Sequence, residues 1–277
     1  MHCWGSNAVG QLGLDGTTPR KSPGKVSIED IHQIAAGGAT TCAIDRSGRL
    51  FCWGRGFEGQ LADDTLIRSS SPVEIRVDDA PVSQVSVGTA HVCAVVSGGR
   101  LYCWGRNQSG QLGRPAGGAS HSPRWVSSLI DVRSVSCGRA HTCAVTSIGT
   151  YCWGSNAYGV LGIGADGSEA QEEPAPLDLR NVGSVYAGYM HSAALVAGRV
   201  FMWGSNDVGQ YGNGIPISEL VPTYTGLSGM QKLGLGDGFS CGLSETNVLQ
   251  CWGYGEDGRL GTGTTESSSV PVPVLWP

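Results

Sequence analysis

No apolar run in the chain approaches the roughly 20 residues needed to cross a bilayer as a helix, and no charged-then-apolar leader follows Met1. Membrane insertion is therefore not expected. Basic residues are scattered: no cluster of Lys and Arg is longer than the Pro19-Arg20-Lys21 neighbourhood, and the net charge is −5, which argues against a nucleic-acid partner. With only 4 methionines and no long Ala/Glu/Lys/Leu blocks, the composition also argues against helices. CxxC pairs, zinc-type Cys/His spacings, His-Glu-x-x-His and a nucleophile elbow are all missing. No catalytic residue, cofactor or metal ligand is nominated, and the chain reads as a non-enzyme.

What the chain has in excess is glycine, 44 residues without a collagen triplet, which implies many tight turns. Much of it belongs to a recurring unit. Cys152-Trp153-Gly154-Ser155-Asn156-Ala157-Tyr158-Gly159-Val160-Leu161-Gly162 has near-copies at Trp4, Trp53, Trp104, Trp203 and Trp252, with successive tryptophans 49 to 51 residues apart. A period near 50 marks arrays and propellers. Ahead of five of the six motifs lies a second element, such as Val82-Ser83-Gln84-Val85-Ser86-Val87-Gly88, whose alternation and terminal Gly read as a short strand A. Strand B follows, as in His91-Val92-Cys93-Ala94-Val95, and a Gly-containing turn leads into strand C, which ends at the Trp. After the motif and a variable loop, each copy carries proline, as in Pro72-Val73-Glu74-Ile75. Proline lacks the amide a central strand must donate, so this fourth strand belongs at an edge. Four short antiparallel strands, with the small-residue strand innermost, describe a propeller blade.

The two halves, Gly-x-x-His-x-Cys-Ala and Trp-Gly-x-Asn-x-x-Gly-Gln-Leu-Gly, resemble the repeat of the regulator of chromosome condensation family over essentially the whole chain. The resemblance implies an all-β propeller, commonly of seven blades. The first copy lacks strands A and B while the last has all four, so the expectation is a single domain, 1–277, of five full blades plus a half blade. Its boundaries are 1–30 for the half blade, then 31–80, 81–130, 131–180, 181–228 and 229–277. An incomplete ring and a longer parent of six or seven blades are expected.

Cysteines occupy matching positions on strands B and C: Cys42 with Cys52, Cys93 with Cys103, Cys143 with Cys152, and Cys241 with Cys251. Facing residues of a hairpin lie within disulfide reach. Disulfides and buried free thiols are both open readings. Paired cysteines would favour an extracellular or periplasmic setting, and Met1 as the true start a cytoplasmic one. Cys3 lacks a partner, and Cys137 has no counterpart in other copies.

His91, His141 and His191 recur at one position, interrupted by Thr40 and Phe239 in the other full copies. The interruption argues against a metal ring and for a structural hydrogen bond, with backbone near the hub as the expected partner. The six motif tryptophans read as packing between blades. Matches to GxGxxG, such as Gly54-x-Gly56-x-x-Gly59 and Gly253-x-Gly255-x-x-Gly258, read as turns, because the middle Gly replaces Asn7, Asn107, Asn156 or Asn206 of the other copies and no helix follows. Tolerance of positive φ is the expected common property.

The leading functional expectation is a monomeric interaction scaffold whose variable loops bind another protein. Candidate contacts are Asp63, Asp64, Trp125, Glu169, Glu172 and Glu173, with Trp276 a further exposed aromatic. Two alternatives remain open. The family resemblance implies guanine nucleotide exchange on a small GTPase, although no exchange residue maps onto this chain and a basic tail is missing. The cysteine pattern suggests a secreted, disulfide-bonded binder or enzyme inhibitor.

Overall fold

The structure is a computed structural model and describes residues 1–164 and 169–275. β1 (His2–Gly5) and β2 (Arg20–Lys25) form a two-stranded half blade, blade I. Blade II comprises β3 (Ile31–Gly37), β4 (Thr40–Asp45), β5 (Leu50–Gly54) and β6 (Ser69–Ile75). Blade III comprises β7 (Val82–Val87), β8 (His91–Val96), β9 (Arg100–Asn107) and β10 (Gly117–Trp125). Blade IV is built from β11 (Val132–Cys137), β12 (His141–Thr146), β13 (Thr150–Gly154) and β14 (Gln171–Pro176). Blade V holds β15 (Ser184–Ala187), β16 (His191–Val196), β17 (Arg199–Gly204) and β18 (Glu219–Tyr224). Blade VI holds β19 (Met230–Leu235), β20 (Phe239–Ser244), β21 (Leu249–Gly253) and β22 (Ser268–Pro273). Within every sheet the strands pair in chain order, so the proline-bearing strand is always outermost. The innermost strands β3, β7, β11, β15 and β19 surround an axial cavity of ≈ 520 Å³. The five four-stranded sheets are arranged as a propeller, as the repeat implied.

The apolar core lies in the seams between blades. Because side chains alternate across a strand, one face of each sheet fills the seam behind it and the other the seam ahead. Between blades II and III, for example, Cys42, Ile44, Leu50 and Cys52 of one sheet meet Val85, Val92, Ala94 and Trp104 of the next. Trp53, Trp104, Trp153, Trp203 and Trp252 are wholly buried. Each donates its indole Nε1–H into the preceding blade, to the carbonyl of Gln11, Gln60, Gln111, Val160 or Gln210, at 2.8–3.0 Å. Glutamines add polar stitches. Gln33 both donates to the carbonyl of Val85 and accepts from its amide, and Gln84 does the same with Val135.

Blade I changes this pattern. It lacks the two inner strands that would cover β3, so Ile34 is 50% exposed while its equivalents Val85, Val135, Val185 and Leu233 are buried. Trp4, read from the sequence as a packing residue like the others, is 58% exposed. Among the described residues no sheet follows blade VI, and Cys241 is only partly buried where Cys42, Cys93 and Cys143 are fully so.

The seam tryptophans therefore differ in what they contribute to stability. Trp203→Ala removes a fully buried aromatic and is expected to cost about 3–5 kcal/mol, whereas Trp4→Ala should stay within about 0.5 kcal/mol of wild type. Denaturant titration of both variants checks the contrast.

Candidate interaction face

The strand order places two kinds of connection on opposite faces of the disc. One face carries the tight corners from the first to the second strand of each blade, together with the motif loops that link third to fourth strands. The B-to-C hairpin turns and the blade-to-blade connections lie on the other. On the motif-loop face, Asn7, Asn107, Asn156 and Asn206 organise each loop by accepting, through Oδ1, the amide of the residue five positions on, at 2.9–3.1 Å. The Nδ2 groups of Asn7, Asn107 and Asn206 also tie the loop together, Asn206 reaching the carbonyls of Ile215 and Ile217. None of these asparagines has positive φ. In blades II and VI the loop carbonyls of Ile67 and Glu266 enter the space the amide would fill, so close that a Cβ on Gly56 or Gly255 would collide with them. Space, not a shared left-handed backbone, is why Asn and Gly interchange here, which corrects the conformational reason expected from the sequence.

The recurrent histidines are buried at the same corners. Their partners are not hub backbone groups but hydroxyls of the following blade: Nε2 of His91, His141 and His191 lies 2.9 Å from Thr142 Oγ1, Ser192 Oγ and Ser240 Oγ. Each hydroxyl donates its single proton to the carbonyl that also receives the Trp indole, that of Gln111, Val160 or Gln210. The hydroxyl must therefore accept from the imidazole, which fixes the Nε2–H tautomer. Where Thr40 replaces His in blade II, the facing residue of blade III is Val92, so both ends of the bond are absent together. The ring packs on a corner glycine: a Cβ on Gly88 or Gly138 would strike it. Burial holds the imidazoles neutral, pushing His91 and His191 down to about 3 and His141 to about 4, with His141 itself adding to the effect on the other two.

His91, Cys93 and Cys137 bring ligand-type atoms within 4.8 Å of one another. Cys93 is bonded to Cys103, and burial pushes the Cys137 thiol up to about 12, so the trio offers one imidazole and one protonated thiol. That falls short of a tetrahedral zinc set. The other paired cysteines are Cys42–Cys52, Cys143–Cys152 and Cys241–Cys251, each joining directly opposed residues with Cα atoms 4.0–4.1 Å apart. Cys3 and Cys137 are free.

The sequence-nominated contacts do not converge. Asp63 and Asp64 lie in the motif loop of blade II, where Asp63 accepts from the amide and hydroxyl of Thr65 and Asp64 has φ 57°. Glu172 and Glu173 are exposed on the outer strand of blade IV, with Glu172 against Gly110 of blade III, and Glu169 is exposed just before them. Trp125, 51% exposed, ends β10 nearer the opposite face. Trp276 and part of the acidic stretch 166–173 lie outside the described residues.

The motif-loop face shows features the sequence did not bring forward. Arg139 stacks on Tyr189 at 4.5 Å, Arg259 on Tyr254 at 4.8 Å, and Arg55 on Phe57 at 5.9 Å. Ile67, Tyr158, Ile215 and Ile217 are each at least half exposed. A pocket of ≈ 410 Å³ between blades III and IV is lined by Arg106, Arg139, Tyr158 and Tyr189. The available signal was irregularity: Arg139 stands where the other corners carry Gly38, Thr89, Tyr189 and Asp237.

A protein-family model described as the RCC1-like domain matches residues 1–276. The chain is 31% identical over 148 residues to human "Probable E3 ubiquitin-protein ligase HERC3", covering 51% of this chain and 14% of that protein. It is 32% identical over 152 residues to human "Regulator of chromosome condensation", covering 52% of this chain and 36% of the relative. Among solved structures, human WBSCR16 matches with a TM-score of 0.84 at 23% identity, over 100% of this chain and 76% of that one. The matched region is thus well under two thirds of the length of either curated relative.

The seam histidines generate a pH dependence. Their folded pKa values lie below the ordinary 6.5, so the unfolded chain binds more protons between 6.5 and about 3 to 4. Their stabilising contribution is complete above pH 6.5 and falls as the pH drops through that window. Urea midpoints at pH 7 and pH 4.5 should show the loss, and a His91→Gln, His141→Gln, His191→Gln variant should show a shallower slope.

Proposed function

The chain belongs to the RCC1-like domain family, and we propose that it acts as a non-enzymatic scaffold that binds another protein through its motif-loop face. The observation that carries this reading is the division of labour in the structure. Recurrent residues close the seams, while the loops that differ between blades expose apolar and stacked cationic groups on one face. Exposed apolar surface rimmed by polar groups is a mark of interaction sites, and loops on a rigid scaffold can vary without disturbing the core. Asp63, Asp64, Glu169, Glu172 and Glu173 are proposed as peripheral contacts that tune the charge of this surface.

Two variants test the scaffold: residues 61–68 of the blade II motif loop replaced by the blade I equivalent, and Glu169, Glu172 and Glu173 at the start of the blade IV outer strand replaced by Lys. Both should retain the wild-type melting temperature within about 2–4 °C and lose a partner identified by proximity labelling in the source organism. Retention of every partner by both variants would remove this face as the interface.

A second reading concerns the setting and is favoured by the four cross-strand cysteine pairs. They support an oxidising compartment, since such bonds are uncommon where glutathione keeps thiols reduced. Protein purified with alkylation at lysis, then denatured without reductant, should carry two modified cysteines, Cys3 and Cys137, out of ten. Ten modified cysteines would exclude that compartment and leave the scaffold reading intact.

A further inference from the structure

Resting on the reading of the motif-loop face as the interface, we propose that the pocket between blades III and IV receives an acidic side chain of the partner protein. Arg106 and Arg139 take the carboxylate, and Tyr158 packs on the partner residue beside it. Five separate chain segments build this pocket. Thr89 comes from the blade III corner, Arg106 and Ser109 from the end of β9 and the motif loop after it, Arg139 from the blade IV corner, Ser155 and Tyr158 from the blade IV motif loop, and Tyr189 from the blade V corner. Its lining contains both guanidinium groups and no carboxylate.

Charge is the first argument. The chain is acidic overall, with net charge −5, so two arginines converging on one pocket are a local feature and not a reflection of composition. Among the described residues the ion pairs are Arg49–Asp45, Arg100–Asp78 and Arg259–Asp257, and neither pocket arginine takes part in one. Arg106 meets the neutral amide oxygen of Gln108, while Arg139 places its guanidinium carbon 4.5 Å from the centre of the Tyr189 ring. A guanidinium stacked on an aromatic ring is pre-oriented, and its donors remain free for the planar fork that matches a carboxylate.

The second argument is Tyr158. It has φ 65° and is 50% exposed. A bulky side chain rarely occupies this left-handed region, and the equivalent position in blade VI carries Asp257 at φ 59°, a residue type that tolerates it. The Tyr158 side chain takes part in none of the seam hydrogen bonds described above. Strain of this kind, kept at an exposed position beside a pocket, points to recognition. The next residue, Gly159, packs on Leu220 of β18, so the tyrosine leads outward to Leu220 and Val221, 36% and 46% exposed. A cationic pocket followed by an apolar shelf matches a peptide with an acidic residue next to a hydrophobic one. The ≈ 410 Å³ volume suits one side chain and its neighbour.

The probe is a fluorescein-labelled dodecapeptide library in which a central Glu-Glu is flanked by Leu or Phe, each member paired with its Gln-Gln twin, read by fluorescence anisotropy on the intact chain. At about 50 mM salt the best Glu peptide should bind at least about tenfold tighter than its twin, the effect of one charge-assisted pair, and the ratio should shrink as salt rises. Arg106→Gln and Arg139→Gln should each erase the preference without lowering the melting temperature, and a Lys-Lys peptide should regain binding to Arg139→Glu. Tyr158→Gly should melt at or above the wild-type temperature while binding the Glu peptide more weakly. The inference is overturned if no library member distinguishes Glu from Gln, or if Arg139→Gln leaves the preference unchanged. Equal binding of both twins that is lost on exchange of the blade IV and V motif loops would overturn the carboxylate pocket while leaving the scaffold in place.

Discussion

One backbone carbonyl per blade holds the propeller together. The carbonyls of Gln11, Gln60, Gln111, Val160 and Gln210 each receive an indole from the following blade, and all but that of Gln60 also receive a hydroxyl, from Thr41, Thr142, Ser192 or Ser240. A carbonyl oxygen has two lone pairs, and at Gln111, Val160 and Gln210 both are used inside a buried seam where water cannot replace either donor. The motif conserves this oxygen's position by other means. The side chains of Gln11, Gln60, Gln111 and Gln210 accept an amide two residues back and brace the loop, whereas Val160 in blade IV keeps the carbonyl and gives up the brace. The constraint thus falls on main-chain geometry and less on the side chain that happens to carry it.

The fold was readable because its signals are periodic. Tryptophan spacing, alternation in the inner strands and proline in the outer ones all follow from where a blade buries surface and where it must donate a hydrogen bond. The opposition of Cys42 to Cys52 was likewise readable, since a hairpin turn sets the register of its two strands. Harder to read was anything that depends on the neighbouring blade. The hydroxyl opposite His91 lies about fifty residues away, and nothing near the histidine announces Thr142. The exposure of Trp4 comes from which strands stand beside it, although its local sequence matches its buried equivalents. The Arg106–Arg139–Tyr158–Tyr189 pocket was hidden for a related reason: each residue looks like a tolerated deviation in its own repeat, and only the seam shows that the deviations face one another.

The cysteine pairs add a different kind of reinforcement from the carbonyl. Each joins the two middle strands of a sheet, and in blades II, III and IV it lies on the face turned toward the next blade, so its sulfurs also serve as seam packing. Blade V has Ala193 and Met202 in these places, both fully buried and equally at home in the seam. Apolar contact satisfies the neighbour whether or not a covalent bond is present, because sulfur packs as a small hydrophobe in either state.

The direction of the indole-to-carbonyl bond has a consequence for how such chains change over generations. Each blade offers a donor on one side and an acceptor on the other, in the same polarity around the axis. Recombination that inserts or removes a unit of about fifty residues joins matching surfaces at both cut points. Copy number can then drift without any interface being reinvented, while the loops on each unit diverge independently.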